Sequence, residues 1–108
     1  MIIDLKNLPS LEHYNFKEGK GVFIAHTYFD GKTKIMLSKL PPGSSIGYHT
    51  HTDDSEVIIC ISGVGNVVLK EGNETLRPGN VHYCPKGESH SLENNGTEDL
   101  TVYAIVTR

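Results

Sequence analysis

Arginine is nearly missing from this chain. Of ten basic residues only Arg77 and Arg108 are arginines, and the lysines are scattered. Thirteen acids leave a formal charge of −3 over 108 residues, so neither a nucleic acid nor an anionic membrane surface is an expected partner. Cysteine is equally sparse. Cys60 and Cys84 form no CxxC pair and each sits inside an apolar, strand-like run, which points to buried free thiols in a reducing compartment. No apolar run approaches the length needed to cross a bilayer. The opening Met1-Ile2-Ile3-Asp4-Leu5 carries an acid where a signal peptide would carry basic residues, so the expected location is cytoplasmic. A sustained helical period is also absent, as are repeats, linkers and low-complexity tracts.

Turns and short strands are what the chain has instead. Val22 to Phe29 is rich in β-branched and aromatic residues, and Asp30-Gly31 is a strong hairpin signal leading into a return strand over Lys32 to Leu40. Pro41-Pro42-Gly43 ends that strand, because proline cannot donate to a ladder. Further strands are expected over 46–51, 56–62, 67–70, 74–76, 80–84, 89–93 and 100–107, separated by glycine and asparagine turns. This pattern predicts an all-β antiparallel sandwich or barrel in one domain. Residues 1–20 read as an N-terminal arm and 21–108 as the β-barrel. Within the arm, Ile2 to Leu5 suits an extended segment and Leu8 to Tyr14 one turn of helix.

The chemistry concentrates in Gly43 to Glu56. His49 and His51 stand at i and i+2, which on a strand is one face. Glu56 can join them if the chain reverses between Thr52 and Ser55, and His90 follows later in a similar setting. Three imidazoles and a carboxylate suit a divalent transition metal. An HxH pair alone would more often be two exposed histidines. Here Gly43, His49, His51, Glu56 and Gly63 are followed by Gly79, Pro85, Gly87, His90 and Asn94. Together they fill every fixed place of the two sequence motifs of the cupin superfamily, in the expected order, and the chain resembles a small single-domain cupin. The one notable departure is Asn80, where aspartate is common in the family.

That resemblance implies a double-stranded β-helix, or jelly-roll, barrel. It also implies one divalent metal per chain (Fe, Mn, Ni, Cu or Zn) on His49, His51, Glu56 and His90, with two octahedral positions left open. An oxygen-rich small molecule would meet the ion there, in dioxygenase, isomerase or lyase chemistry. The alternative is a non-catalytic module that binds a sugar or organic acid beside a bound metal. Candidates for the substrate pocket are His26 and Tyr28, on one strand face, Cys60, which shares the parity of Glu56, and His82, only one of His82 and Tyr83 being able to face inward. Asn94 is expected to close a turn, and His13 to lie on the surface. Neither Arg77, before a turn, nor Arg108, the last residue, is expected inside the barrel, which weighs against a small dianion held by a guanidinium. If Glu56 faces the metal, then Val57, Ile59 and Ile61 share the opposite face, which is too apolar for water and predicts a homodimer.

Overall fold

The computed structural model describes residues 1–108 and contains ten strands in two antiparallel sheets. They are β1 (Ser10–Tyr14), β2 (Val22–Phe29), β3 (Thr33–Leu40), β4 (Ser45–Thr50), β5 (Ser55–Ser62), β6 (Gly65–Leu69), β7 (Gly72–Leu76), β8 (Val81–Cys84), β9 (Ser89–Glu93) and β10 (Leu100–Thr107). Six strands pair in the order β1-β2-β3-β10-β5-β8, and four in the order β4-β9-β6-β7. No helix is long and apolar enough to cross a membrane.

Alternation along each strand puts one face of each sheet inward. Phe23, Ala25, Met36, Leu40, Ile58, Cys60, Leu100, Val102 and Ala104 from the larger sheet close on Val67, Leu76 and Leu92 from the smaller one. Asn94 locks one end. It closes its turn by accepting from Gly96 N–H at 3.0 Å, and its Nδ2 donates to Leu40 O and Glu98 O at 2.8 Å each. Gly43, Gly63, Gly79 and Gly87 all have φ between +80° and +90°, the left-handed turns that their spacing called for.

The first twenty residues depart from expectation. Within Leu8 to Tyr14, where one turn of helix was expected, Ser10–Tyr14 form edge strand β1, paired with β2 from Ser10↔His26 to Tyr14↔Val22. Helical structure falls instead at Leu5–Asn7, a 3-10 turn where an extended segment was expected, and at Phe16–Glu18. His13 is half-buried rather than exposed, with its ring 5.3 Å from that of Phe16 and 5.5 Å from that of Phe23.

One irregularity positions the functional residues. β4 and β9 pair Ile46 with Leu92 but His49 with His90, so β4 carries one extra residue at Gly47-Tyr48. Such a bulge changes which residues face inward. It lets Ile46 pack against the core and His49 face the same interior three residues later, while Tyr48 stays exposed. The segment before β2 lies directly against this bulge. A Cβ on Gly47 would meet Lys17 O at 1.8 Å, and one on Gly19 would meet Ser45 O at 2.1 Å, so both positions require glycine.

Candidate metal centre

His49 comes from β4, His51 from the residue after it, His90 from β9 and Glu56 from β5. The group therefore bridges the two sheets. Hydrogen bonds from His51 N to Glu88 O (2.9 Å) and from Gly87 N to His51 O (2.6 Å) hold His51 against the turn that precedes β9. One ligand atom from each of the four residues lies within 4.8 Å of all the others, so the group could hold a metal ion.

Each imidazole has its Nδ1 engaged, leaving Nε2 for the centre. His49 Nδ1 donates to Gly47 O at 2.7 Å, and His51 Nδ1 to Asp54 Oδ1 at 2.6 Å. His90 Nδ1 lies 2.8 Å from His82 Nε2. Glu56 Oε1 is 3.2 Å from His51 Nε2 and 2.9 Å from His90 Nε2, and those two nitrogens are 3.0 Å apart. With metal–ligand bonds of about 2.1 Å, neighbouring corners of an octahedron are about 3.0 Å apart, so these spacings fit an ion. Nitrogen lone pairs and a carboxylate converging this closely repel one another unless a proton or a cation lies between them.

The ionisation of the group follows from the same contacts. Burial alone would push Glu56 upward, but hydrogen bonds from His51 and His90, with their charges, outweigh it and hold the carboxyl at about 2. His51 is raised above its ordinary value, first by its hydrogen bond to Glu56, against the opposing effect of burial, and further by Asp54. His49 is lowered, chiefly by burial, and so is His82.

A cleft of about 330 Å³ opens on His49 and His51, with Phe16, Phe23, Met36 and Val106 on its inner wall. Its rim carries Lys17, Lys34 and Arg108 together with Asp53 and Asp54. Arg108, which the sequence reading kept away from the barrel interior, thus borders the cleft beside the histidines.

The four substrate-pocket candidates separate. His26 and Tyr28 stand on the outer face of the large sheet, paired with Leu37 and Ile35, away from the cleft. His26 Nδ1 donates to Leu8 O at 2.7 Å, tying down the N-terminal segment. Cys60 faces inward but belongs to the apolar core, and burial raises its thiol pKa. His82 alone touches the centre, through His90. Sequence reasoning missed Asp54, Lys17, Lys34 and the pair Gly19 and Gly47. Asp54 carried a usable signal, an acid three residues after a ligand within a tight turn.

The two-sheet barrel with a three-histidine, one-glutamate centre defines a cupin-type protein. The sequence model of the Cupin_2 family, described as "Cupin domain", matches residues 36–106, and the chain belongs to that family. It is 36% identical over 99 residues to the "Oxalate-binding protein" of Thermotoga maritima, covering 85% of this chain and 81% of that one. It is 30% identical over 86 residues to "Auxin-binding protein 1" of Arabidopsis thaliana, covering 71% of this chain but 43% of that longer one. Among solved structures, a predicted oxalate decarboxylase from Thermotoga maritima superposes with a TM-score of 0.91 at 28% identity, covering 99% of this chain and 98% of that one.

Proposed function

We propose that this chain holds one divalent transition metal on His49, His51, Glu56 and His90 and binds a small di- or hydroxycarboxylate beside it. The observation that carries this reading is the rim of the cleft. Lys17, Lys34 and Arg108 supply three positive charges against the three carboxylates of Asp53, Asp54 and Glu56, so a divalent ion leaves the site with an excess of two. A dianion neutralises that excess, and an ion with open positions accepts its oxygens as a Lewis acid. Each lysine ammonium also lies over an aromatic ring, Lys17 Nζ 5.6 Å from the Phe16 ring centroid and Lys34 Nζ 5.7 Å from that of Phe29. The names of the Thermotoga relatives, one oxalate-binding and one a predicted oxalate decarboxylase, support the same ligand class.

Binding without turnover is the first form of this reading, because both curated relatives are named as binding proteins. A lyase is the second, supported by Asp53, an exposed acid on the cleft wall within reach of solvent protons. Calorimetry with oxalate, on chain loaded with Mn(II) and on chelated chain, tests the proposal. Saturable binding that needs the ion supports it; no binding in either state overturns it. Carbon dioxide release in the same mixture decides for the lyase.

The outer face of the large sheet supports a second copy of this chain as partner. Tyr28, Ile35, Ile105, Val57 and Tyr83 form one row across five strands, and His26, Leu37, Tyr103, Ile59 and Val81 form the next. Such a face is self-complementary without charge matching, and a stable contact needs roughly 800 Å² from each partner. Val81 and Tyr83 are still 59% and 58% exposed. The free, buried Cys60 and Cys84 support a reducing, cytoplasmic setting.

A further inference from the structure

His82 is a polar side chain in a place where packing alone would favour an apolar one. It lies on β8 opposite Ile58, between exposed Val81 and Tyr83, and is only 8% exposed. Buried polar groups persist where a partner satisfies them. The hydrogen bond His82 makes within the protein is between its Nε2 and His90 Nδ1, at 2.8 Å. On its other side His82 lines a separate cavity of about 440 Å³, shared with Glu74, Thr75, Asn80 and Tyr83. The ring is thus a wall between that cavity and the metal cluster.

Tautomer arithmetic gives this contact a direction. A nitrogen that binds a metal carries no proton, so a neutral His90 bound through Nε2 must carry its proton on Nδ1. That proton then points at His82 Nε2, which must be an unprotonated acceptor. His82 must in turn keep its own proton on Nδ1, the nitrogen free of protein partners. We infer that His82 is a positioning residue for the metal centre: its Nε2 accepts from His90 Nδ1–H and so fixes the tautomer and ring orientation in which His90 presents Nε2 to the ion. The same service comes to His49 from a backbone carbonyl and to His51 from a carboxylate. His90 therefore has the only one of the three supports that is a neutral imidazole, and the only one that could itself be the wrong tautomer.

This inference rests on the metal-centre reading, and Zn(II), a diamagnetic probe, separates the two. In uniformly ¹⁵N-labelled chain loaded with Zn(II), long-range proton–nitrogen correlation spectra should show His82 as the Nδ1–H tautomer and His90 protonated on Nδ1. His82 found as the Nε2–H tautomer in the loaded chain overturns the inference, whatever any variant does. Zn(II) affinity supplies the second readout. His82→Phe keeps the ring volume but cannot accept, and should bind roughly 10- to 100-fold more weakly. His82→Gln offers a carboxamide oxygen and should recover most of that loss, which a purely space-filling role would not produce. Equal Zn(II) affinity in His82→Phe and the unchanged chain sinks the positioning role and leaves the metal centre standing. If the unchanged chain takes up no ion, both fall. Should His82→Phe fail to fold, as its metal-free melting curve would reveal, the tautomer measurement decides alone.

Discussion

His51 and His49 set how the centre responds to acid, while Glu56 stays ionised. The ion requires neutral imidazoles, and protons compete for the same nitrogens. His51 has its pKa raised from 6.5 and His49 has its lowered, so His51 should protonate before His49 on acidification. Proton NMR of the imidazole signals in chelated chain checks that order. The two shifts act oppositely on stability. The share from His51 is complete below 6.5 and fades as pH rises through its folded value; the share from His49 is present above 6.5 and fades as pH falls through its own. The gap in melting temperature between loaded and metal-free chain should therefore narrow as pH falls from about 7.5 to about 5.5. The double variant His49→Ala, His51→Ala should lose stoichiometric metal by mass spectrometry at any pH. The grouping of His49, His51, Glu56 and His90 was legible because their identities and spacing carry the signal. The contacts of His82 and Asp54 were not, since they depend on which ring nitrogen faces which neighbour, and that is set by packing.

At the scale of elements, strand β4 is where sequence and structure differ most usefully. The strands from β2 onward were readable because turn residues punctuate them and β-branched residues fill them. Edge strand β1 was hidden because its only partly buried side chain is His13, so it lacks the alternation that marks a strand. The bulge in β4 was hidden too, because an HxH spacing looks the same whether or not an extra residue precedes it. Gly47 is the residue on which this element turns. Gly47→Val should destabilise the chain by about 1–3 kcal/mol, because its Cβ cannot share space with Lys17 O and the Phe16–Glu18 segment must move away. The midpoint of urea unfolding checks the stability. Zn(II) affinity should fall as well, since Gly47 O is the acceptor that orients His49.

For the molecule as a whole, the four clustered residues come from both sheets, so an ion bound there would tie the sandwich together. At a hundredfold excess over its dissociation constant a metal adds about 2.7 kcal/mol. In a chain of this size chelation should then lower the melting temperature by roughly 10 °C or more. Ile59→Lys should convert a dimer to a monomer in sedimentation and leave metal content unchanged, because Ile59 faces away from the cluster; an unchanged chain that is already monomeric at micromolar concentration rules out the dimer. The outer face was half visible in the sequence. The parity of Val57 and Ile59 announced it, but its breadth depends on strand order, which brings Tyr28 and Tyr83 into one row from distant parts of the chain. The extra residue at Gly47-Tyr48 also bears on how this small barrel can change over time. Upstream of it the strand keeps time with the core, and downstream it keeps time with the ligands, like two gears joined by a half-step clutch. Substitutions that repack the interior around Ile46 therefore need not disturb the aim of His49. A deletion of one residue at the clutch would leave Ile46 and the histidine two positions apart on an ordinary strand, still on one face, so the site need not be lost with the bulge.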